Sequence, residues 1–182
     1  LDTTPNLDRL AAEGMMLTRT HCQSPVCVPS RYSLLSGCYP RDHGVRCNAD
    51  SPVPGTPSMV ERFNDNGYHS VAIGKLHHNP PDDPFGFQEV YLHDGGLPAR
   101  YPLSVYVKWL RDQGRSEEEL SYPKGMDSDP VKCQLKDKVH WGACRLEDET
   151  CESTFLSAQT EQYVQQYARE APLFLYLSFV AP

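Results

Sequence analysis

The sequence has no long apolar run and no cluster of basic residues. It contains 17 lysine and arginine residues against 24 aspartate and glutamate residues, a formal net charge of −7. Proteins bind nucleic acids through basic groups that neutralise phosphates, so a nucleic-acid partner is not expected. A membrane-spanning helix needs roughly 20 consecutive apolar residues, and the apolar run at 173–180 is far shorter. We therefore expect no membrane span and predict a buried strand at that run.

The chain also has no CxxC pair, although it is rich in cysteine. The cysteines number seven, so complete pairing would leave one over. This count permits disulfides and an extracytoplasmic compartment without requiring either. Cys22, Cys38 and Cys47 can be core thiols or disulfide partners. A zinc site in the second half would have irregular ligand spacing and is not expected; its residues would be Cys133, His140, Cys144 and Cys151.

Neither end of the chain resembles a natural terminus. The first residue is Leu1 rather than Met, and no signal peptide is visible. The last residue, Pro182, follows the apolar run almost directly. We expect the chain to be a piece of a longer protein, although 182 residues suffice for one domain with a hydrophobic core.

Two segments share one pattern that is typical of helices. In each, Thr-Pro precedes an amphipathic stretch and Gly follows it. We expect Thr to cap the helix, Pro to occupy its first turn, and Gly to end it in a left-handed conformation. The residues concerned are Thr4, Pro5 and Gly14 in the first segment, and Thr56, Pro57 and Gly67 in the second.

Helix and strand signals alternate along the chain. Strands are predicted at 15–20, 68–73 and 173–180, and a further helix at 153–169. This alternation predicts an α/β fold with a largely parallel sheet flanked by helices. We predict one partial domain over 1–182, with its core in 1–80 and 151–182. Prolines, glycines and charges dominate 81–150, which we interpret as a variable insertion with one helical patch near 101–110.

The predicted sheet indicates where chemistry should lie. Ligands of open parallel sheets bind beyond the carboxyl ends of the strands. Cys27 follows the first predicted strand, and Lys75 and His77 follow the second. We therefore expect these three residues to share one edge of the sheet.

The segment around Cys27 resembles the signature of the formylglycine-dependent sulfatases, C-x-P-S-R-x-x-x-L-T/S-G. Here it reads Cys27-Val28-Pro29-Ser30-Arg31 and continues with Leu35-Ser36-Gly37. Other segments agree with the same family: T-P-N-L-D-x-L at residues 4–10, Y-P-x-x-H-G-V at 39–45, and G-K-W-H at 74–77, with Leu76 in place of the usual Trp. The resemblance covers 3–80 and 153–182. It implies an alkaline-phosphatase-like fold, of which this chain would hold the amino-terminal portion.

The resemblance implies a special fate for Cys27. A formylglycine-generating enzyme would read Pro29 and Arg31 and oxidise Cys27 to Cα-formylglycine. One hydroxyl of the hydrated aldehyde would attack the sulfur of a sulfate ester and expel the alcohol. The second hydroxyl would then lose its proton, so that sulfate leaves and the aldehyde re-forms. The alternative is that Cys27 is an ordinary buried thiol.

The same resemblance implies roles for other residues. Arg31 would hold the formylglycine diol, Lys75 would contact the diol and a sulfate oxygen, and His77 would help to remove the diol proton. His43 is a candidate for substrate binding, or else a turn residue. A divalent cation would activate the diol, Ca²⁺ by family habit, with Mg²⁺ or Mn²⁺ possible.

Cys27, as formylglycine, is the only metal ligand recognised in the sequence. The family's other metal ligands and its leaving-group histidine are expected outside this chain, so we expect the chain alone to be inactive. Many members of the family are exported, which favours a periplasmic, secreted or lysosomal compartment without deciding it.

Three functions follow from these residues. The first is hydrolysis of a sulfuric ester, on a small molecule or a glycan. The second is hydrolysis of a phosphonate monoester or phosphodiester by the same converted cysteine. The third is a non-catalytic fragment that acts as a binding module.

Overall fold

Three parallel strands form the centre of the structure. The computed structural model describes residues 4–94, 103–115, 148–168 and 170–180. In chain order the elements are α1 (Pro5–Glu13), α2 (Cys27–Ser36), α3 (Pro40–His43), α4 (Met59–Asp65), β1 (His69–Gly74), β2 (Glu89–Leu92), α5 (Val105–Asp112), a short 3₁₀ turn (Asp148–Thr150), α6 (Glu152–Gln166) and β3 (Leu173–Ser178).

The strand order is β2-β1-β3, with β1 in the middle. The register pairs Gly74 of β1 with Leu92 of β2 and with Ser178 of β3. All three strands run in the same direction, so their carboxyl ends meet at one edge of the sheet. Every residue of β1 is buried, as expected for a central parallel strand covered on both faces.

Each face of the sheet is covered by helices. On one face, Leu35 of α2 and Val60 of α4 pack with Ala72 of β1 in one core cluster. On the other face, a second cluster joins α5 and α6 to the sheet through Val71, Ile73, Tyr106, Leu110, Phe155 and Leu156. The fold is therefore an α/β sandwich, and the predicted fold class is confirmed.

Of the two predicted helix starts, that of α1 at Pro5 is right, although the Thr4 side chain makes no capping hydrogen bond. The predicted start of α4 is two residues too early, because the helix begins at Met59 and not at Pro57. The side chain that caps α4 belongs to Ser58, whose Oγ accepts a hydrogen bond from the backbone N–H of Glu61. Ser58, not Thr56, directly precedes the first helical residue. Gly67 has the expected left-handed φ of 82°, whereas Gly14 has φ −129°. Gly14 therefore does not end α1 in the left-handed conformation that was expected.

The strand predicted at 15–20 is wrong. Those residues form no strand, and the side chains of Met15, Met16 and Leu17 are exposed. A strand exists only where a neighbour takes its backbone hydrogen bonds, and none of the strands in the described ranges pairs with this segment. The apolar pattern alone could not reveal that.

The described part of 81–150, the segment interpreted as an insertion, contains one strand, one helix and the 3₁₀ turn. The helix α5 corresponds to the predicted helical patch. The strand β2 was not predicted, because it has four residues and the charged Glu89 opens it. Residues 95–102 and 116–147, which include most of the proposed insertion, are outside the described residues. In the ranges that are described, no helix is both long and apolar enough to cross a bilayer.

Candidate active site

Two strands place short segments at the carboxyl edge of the sheet. Lys75, Leu76 and His77 follow β1, and His93 and Asp94 follow β2. Two backbone bonds hold this edge together: Lys75 N–H donates to the Ser178 carbonyl at 2.8 Å, and His93 N–H donates to the Gly74 carbonyl at 2.9 Å. As expected from the sequence, the segment that carries Lys75 and His77 therefore leaves the sheet at this edge.

Cys27 is the first residue of α2, and it is exposed. Val26 precedes it in an extended conformation. The side chain of Asn48, from the loop after α3, closes this end of the helix: its Oδ1 accepts from Val28 N–H at 3.1 Å, and its Nδ2 lies 3.6 Å from Cys27 Sγ. The alternative interpretation, a thiol buried in the core, is therefore wrong for Cys27. Asn48 lies outside the sequence motif and was not expected as a neighbour.

Arg31 lies one turn after Cys27 and connects α2 to the sheet edge. Its Nη1 donates to the carbonyl oxygen of Lys75 at 2.8 Å and to Ser178 Oγ at 2.9 Å. The hydroxyl of Tyr176 is 3.3 Å from the same nitrogen. Arg31 therefore ties the helix that carries Cys27 to the segment that carries Lys75 and His77.

Lys75 and His77 are half-buried, and Leu76 between them is fully buried in the core. In the part of the chain that the structure describes, the Lys75 ammonium group forms no ion pair. Burial lowers the pKa of His77, and the positive charge of Lys75 lowers it further, against the opposing effect of Asp94. The ring is therefore neutral near pH 7, and its Nδ1 has no hydrogen-bond partner among the described residues.

Asp94 is a buried carboxylate at this edge that the sequence analysis did not single out. It is 8% exposed, and its Oδ1 accepts hydrogen bonds from the backbone N–H groups of Leu76 and His77, each at 2.9 Å. Its position two residues after a strand, at the same edge as His77, would have indicated it, had the strand β2 been predicted.

His78, the neighbour of His77, is part of the packing. Its ring stacks on Tyr32 with centroids 4.8 Å apart, and its Nδ1 bonds the Asp83 carbonyl at 3.0 Å. Burial lowers the pKa of His78 and raises the pKa of Tyr32 to about 12. This difference between adjacent histidines supports the choice of His77 over His78 as the candidate for chemistry.

His43 is the last residue of α3 and is 1% exposed. Its Nδ1 accepts from Val45 N–H at 3.2 Å, so Nε2 carries the proton and donates to Ser33 Oγ at 3.0 Å. Burial lowers the pKa of the ring, in agreement with a neutral imidazole. Both nitrogens are used within the fold, which favours the turn role over the substrate contact, and substrate binding by His43 stays a prediction.

The described residues do not by themselves form a cation site. No group of three or more His, Cys, Asp or Glu side chains within the described ranges could hold a metal ion. Asp94, the acidic group at this edge, uses its Oδ1 on two backbone N–H groups. At most one ligand, residue 27 as formylglycine, would come from this part of the chain.

None of the five cysteines in the described ranges forms a disulfide; they are Cys22, Cys27, Cys38, Cys47 and Cys151. Cys133 and Cys144 are outside those ranges, together with His140, so the zinc site considered above cannot be assessed from the structure. The pairing of the cysteines stays open.

Known proteins are similar to this chain over nearly all of its length. The family model described as Sulfatase matches residues 1–182, the whole chain. The chain belongs to the sulfatase family. It is 28% identical over 192 residues to an arylsulfatase of Clostridium perfringens (strain 13 / Type A) and 40% identical over 185 residues to the uncharacterized sulfatase YidJ of Escherichia coli (strain K12).

Both alignments cover 98% of this chain, but they cover only 38% of the Clostridium protein and 33% of the Escherichia protein. The chain therefore spans about a third of the length of these relatives. Among solved structures, a phosphonate monoester hydrolase of Agrobacterium radiobacter superposes with a TM-score of 0.70 over 98% of this chain and 36% of its own. Its sequence identity is 22%, so this likeness supports the fold alone.

Proposed function

We propose that the protein containing this chain hydrolyses sulfuric esters, with Cys27 converted to formylglycine as its nucleophile. One observation carries the proposal. Cys27 is exposed at the start of α2, and Arg31, one turn later, is bonded to the backbone of Lys75. A family match over the whole chain supports the same reading.

The surroundings of Cys27 suit the modified residue. Hydrated formylglycine would supply a hydroxyl that attacks sulfur and a second hydroxyl that allows sulfate to leave. The Sγ atom now marks where an oxygen of that group would stand, and Asn48 Nδ2, 3.6 Å from it, can donate a hydrogen bond to that oxygen. The positive end of the α2 dipole favours negative charge at this position.

Lys75 and His77 would have different roles in the reaction. The Lys75 ammonium group would bind a sulfate oxygen, since a fixed cation stabilises the charge of the transferred group. His77 would accept the proton of the second hydroxyl, because a lowered pKa leaves its ring neutral near pH 7. Arg31 would fix the distance between the two elements through its bonds to Lys75 and Ser178.

A divalent cation is also part of the proposal, with Ca²⁺ the first candidate and Mg²⁺ or Mn²⁺ the alternatives. Hard oxygen ligands suit these ions. The described residues supply at most one such ligand, so we derive no step through the metal. The proposal therefore includes further ligands from other parts of the whole protein, and the chain alone is expected to be inactive.

The proposed partners are a sulfate ester, on a small molecule or a glycan, and a formylglycine-generating enzyme. The phosphonate monoester or phosphodiester activity is the second candidate, because it would use the same converted residue and the fold of this chain is close to that of a phosphonate monoester hydrolase.

The experiment uses the full-length protein, co-expressed with a formylglycine-generating enzyme. Peptide mass spectrometry reads the state of residue 27, and hydrolysis rates are measured on one aryl sulfate and one aryl phosphonate. We expect an aldehyde at residue 27, faster cleavage of the sulfate, and loss of both activities in Cys27→Ala. Faster cleavage of the phosphonate would favour the second candidate. Full activity of Cys27→Ala would overturn both, and no activity on either ester would favour the binding module.

A further inference from the structure

The segment after β1 turns back sharply, and a single carboxylate holds the turn. His77 has φ 52°, in the left-handed region. That conformation costs a residue with a side chain on the order of 1–2 kcal/mol, so the surroundings must stabilise it. The Asp94 Oδ1 atom accepts the N–H groups of both Leu76 and His77 at 2.9 Å. These two bonds fix the backbone from which the His77 side chain projects.

Asp94 is itself firmly held. The preceding residue, His93, is 3% exposed and bonds Ser104 Oγ through Nδ1 and Glu152 Oε2 through Nε2, each at 2.9 Å. Ser104 caps α5, and Glu152 is the first residue of α6. The end of β2 is thus anchored to both helices on one face of the sheet, so the carboxylate has a fixed place opposite the turn.

We propose that Asp94 is a positioning residue for the reaction: by accepting the two N–H groups it sets the direction of the His77 ring toward residue 27. This inference rests on the proposed function, because His77 is the proposed proton acceptor. Asp94 does not need to touch the substrate. Asp94 supplies one oxygen atom that accepts both N–H groups, together with a negative charge near the His77 ring.

The test compares Asp94→Ala with Asp94→Asn in the full-length protein carrying formylglycine. The alanine variant removes the acceptor, whereas the asparagine variant keeps a carbonyl oxygen that can accept both N–H groups. A misplaced catalytic group costs about 100-fold in rate, so we expect kcat to fall by about that factor in Asp94→Ala while KM changes little. Asp94→Asn should retain most of kcat.

Asp94→Asn should also move the acid limb of the kcat profile to lower pH. The Asp94 carboxylate favours protonated His77, and its removal makes the ring harder to protonate. A residue with a merely structural role would leave this limb in place.

Asp83→Ala is the matched control. Asp83 Oδ1 also accepts a backbone N–H, that of Phe85 at 2.9 Å, but it accepts none from Leu76 or His77. The bond between the Asp83 carbonyl and His78 Nδ1 involves the backbone of Asp83 and is therefore available in Asp83→Ala. We expect its kcat to stay close to that of the unaltered protein. Equal losses in Asp83→Ala and Asp94→Ala would overturn the inference, as would a loss in Asp94→Asn equal to that in Asp94→Ala with an unmoved acid limb.

Two further outcomes are decided by separate measurements. If Asp94→Ala does not fold, Asp94→Asn decides alone: a moved acid limb supports the inference and an unmoved one overturns it. If the unaltered protein has no esterase activity, the proposed function fails. Hydrogen exchange at the Leu76 and His77 amides then tests whether Asp94 holds these two N–H groups. We expect faster exchange in Asp94→Ala than in Asp83→Ala. Equal rates would overturn the inference.

Discussion

The Arg31 guanidinium donates a 2.8 Å hydrogen bond to the backbone carbonyl of Lys75. This bond joins residues 44 positions apart in the sequence, the first on the helix that begins at Cys27 and the second at the end of the central strand. Because the acceptor is a backbone carbonyl, the bond fixes the position of the main chain at Lys75. A bond between two side chains would not fix the main chain in this way. The relative placement of Cys27 and His77 therefore depends on Arg31.

Replacement of Arg31 should reduce stability. Arg31→Met keeps much of the side chain's length but removes the bonds to the Lys75 carbonyl and Ser178 Oγ. Hydrogen bonds to charged groups contribute about 1.5–3 kcal/mol, so we expect the free energy of unfolding to fall by about 2 kcal/mol in urea denaturation.

Arg41→Met is the control for Arg31→Met. The Arg41 side chain is 81% exposed, and its ion pair is with its neighbour Asp42. Exposed pairs contribute little, so this variant should stay within about 0.5 kcal/mol of the unaltered chain. Equal destabilisation by the two changes would contradict the structural role assigned to Arg31.

Gly74 should tolerate no side chain. It has φ 99°, and a Cβ atom there would collide with the carbonyl oxygen of Ser178 on the adjacent strand. Gly37→Ala is the comparison, since Gly37 has φ 71° and open space around the position of a Cβ. Strain alone should cost Gly37→Ala about 1–2 kcal/mol, and the added collision should bring Gly74→Ala to more than about 3 kcal/mol. Similar unfolding free energies for both variants would show that the strands separate at little cost.

Stability should decrease as the solution becomes acidic. Burial lowers the pKa values of His43, His77 and His78 in the folded chain, whereas unfolded histidine titrates near 6.5. Below that pH the unfolded state binds more protons, so stability is full above about pH 6.5 and is lost as the pH falls toward the folded pKa values. Urea midpoints measured from pH 7.5 to 5 check this.

Individual histidines are tested by the slope of stability against pH, and not by the stability at any single pH. His78→Gln should flatten the slope, because it removes one buried titrating ring. His21→Gln, at an exposed position, should leave the slope as it was. A steeper loss in His78→Gln would count against the assignment.

Serine at position 27 should trap an intermediate in the full-length protein. A serine hydroxyl can attack the ester, but its carbon carries no second oxygen through which sulfate could leave. We expect Cys27→Ser to gain the mass of one sulfuryl group on incubation with an aryl sulfate and then to stop. Cys27→Ala should gain nothing, and sustained turnover by the serine variant would contradict the two-hydroxyl scheme.

The sequence motifs named the candidate residues, whose catalytic roles stay predictions, but not the contacts around them. Cys27, Arg31, Lys75 and His77 belong to short motifs, and the structure connects Arg31 to the Lys75 segment through a hydrogen bond. Asp94 and Asn48 could not be predicted in the same way, because each acts through a contact between distant segments. A carboxylate becomes informative only once the strand before it is known, and β2 is too short to have been recognised.

The wrong strand at 15–20 has a related cause. The apolar residues Met15 and Leu17 suggested a strand, but a strand depends on a partner that local sequence does not specify. For His43 the motif left two roles open, and the structure adds that its two ring nitrogens are bonded to Ser33 and Val45. A motif gives the residue type at a position, whereas burial and hydrogen-bond partners distinguish a reactive ring from a structural one.

Leu76 contributes to the packing of the core, whereas its neighbours Lys75 and His77 are candidates for the chemistry. Its side chain packs in the core with Val60 and Ala72, while its N–H faces Asp94. A larger side chain at this position is thus a question of interior volume, to be accommodated by the helices around it.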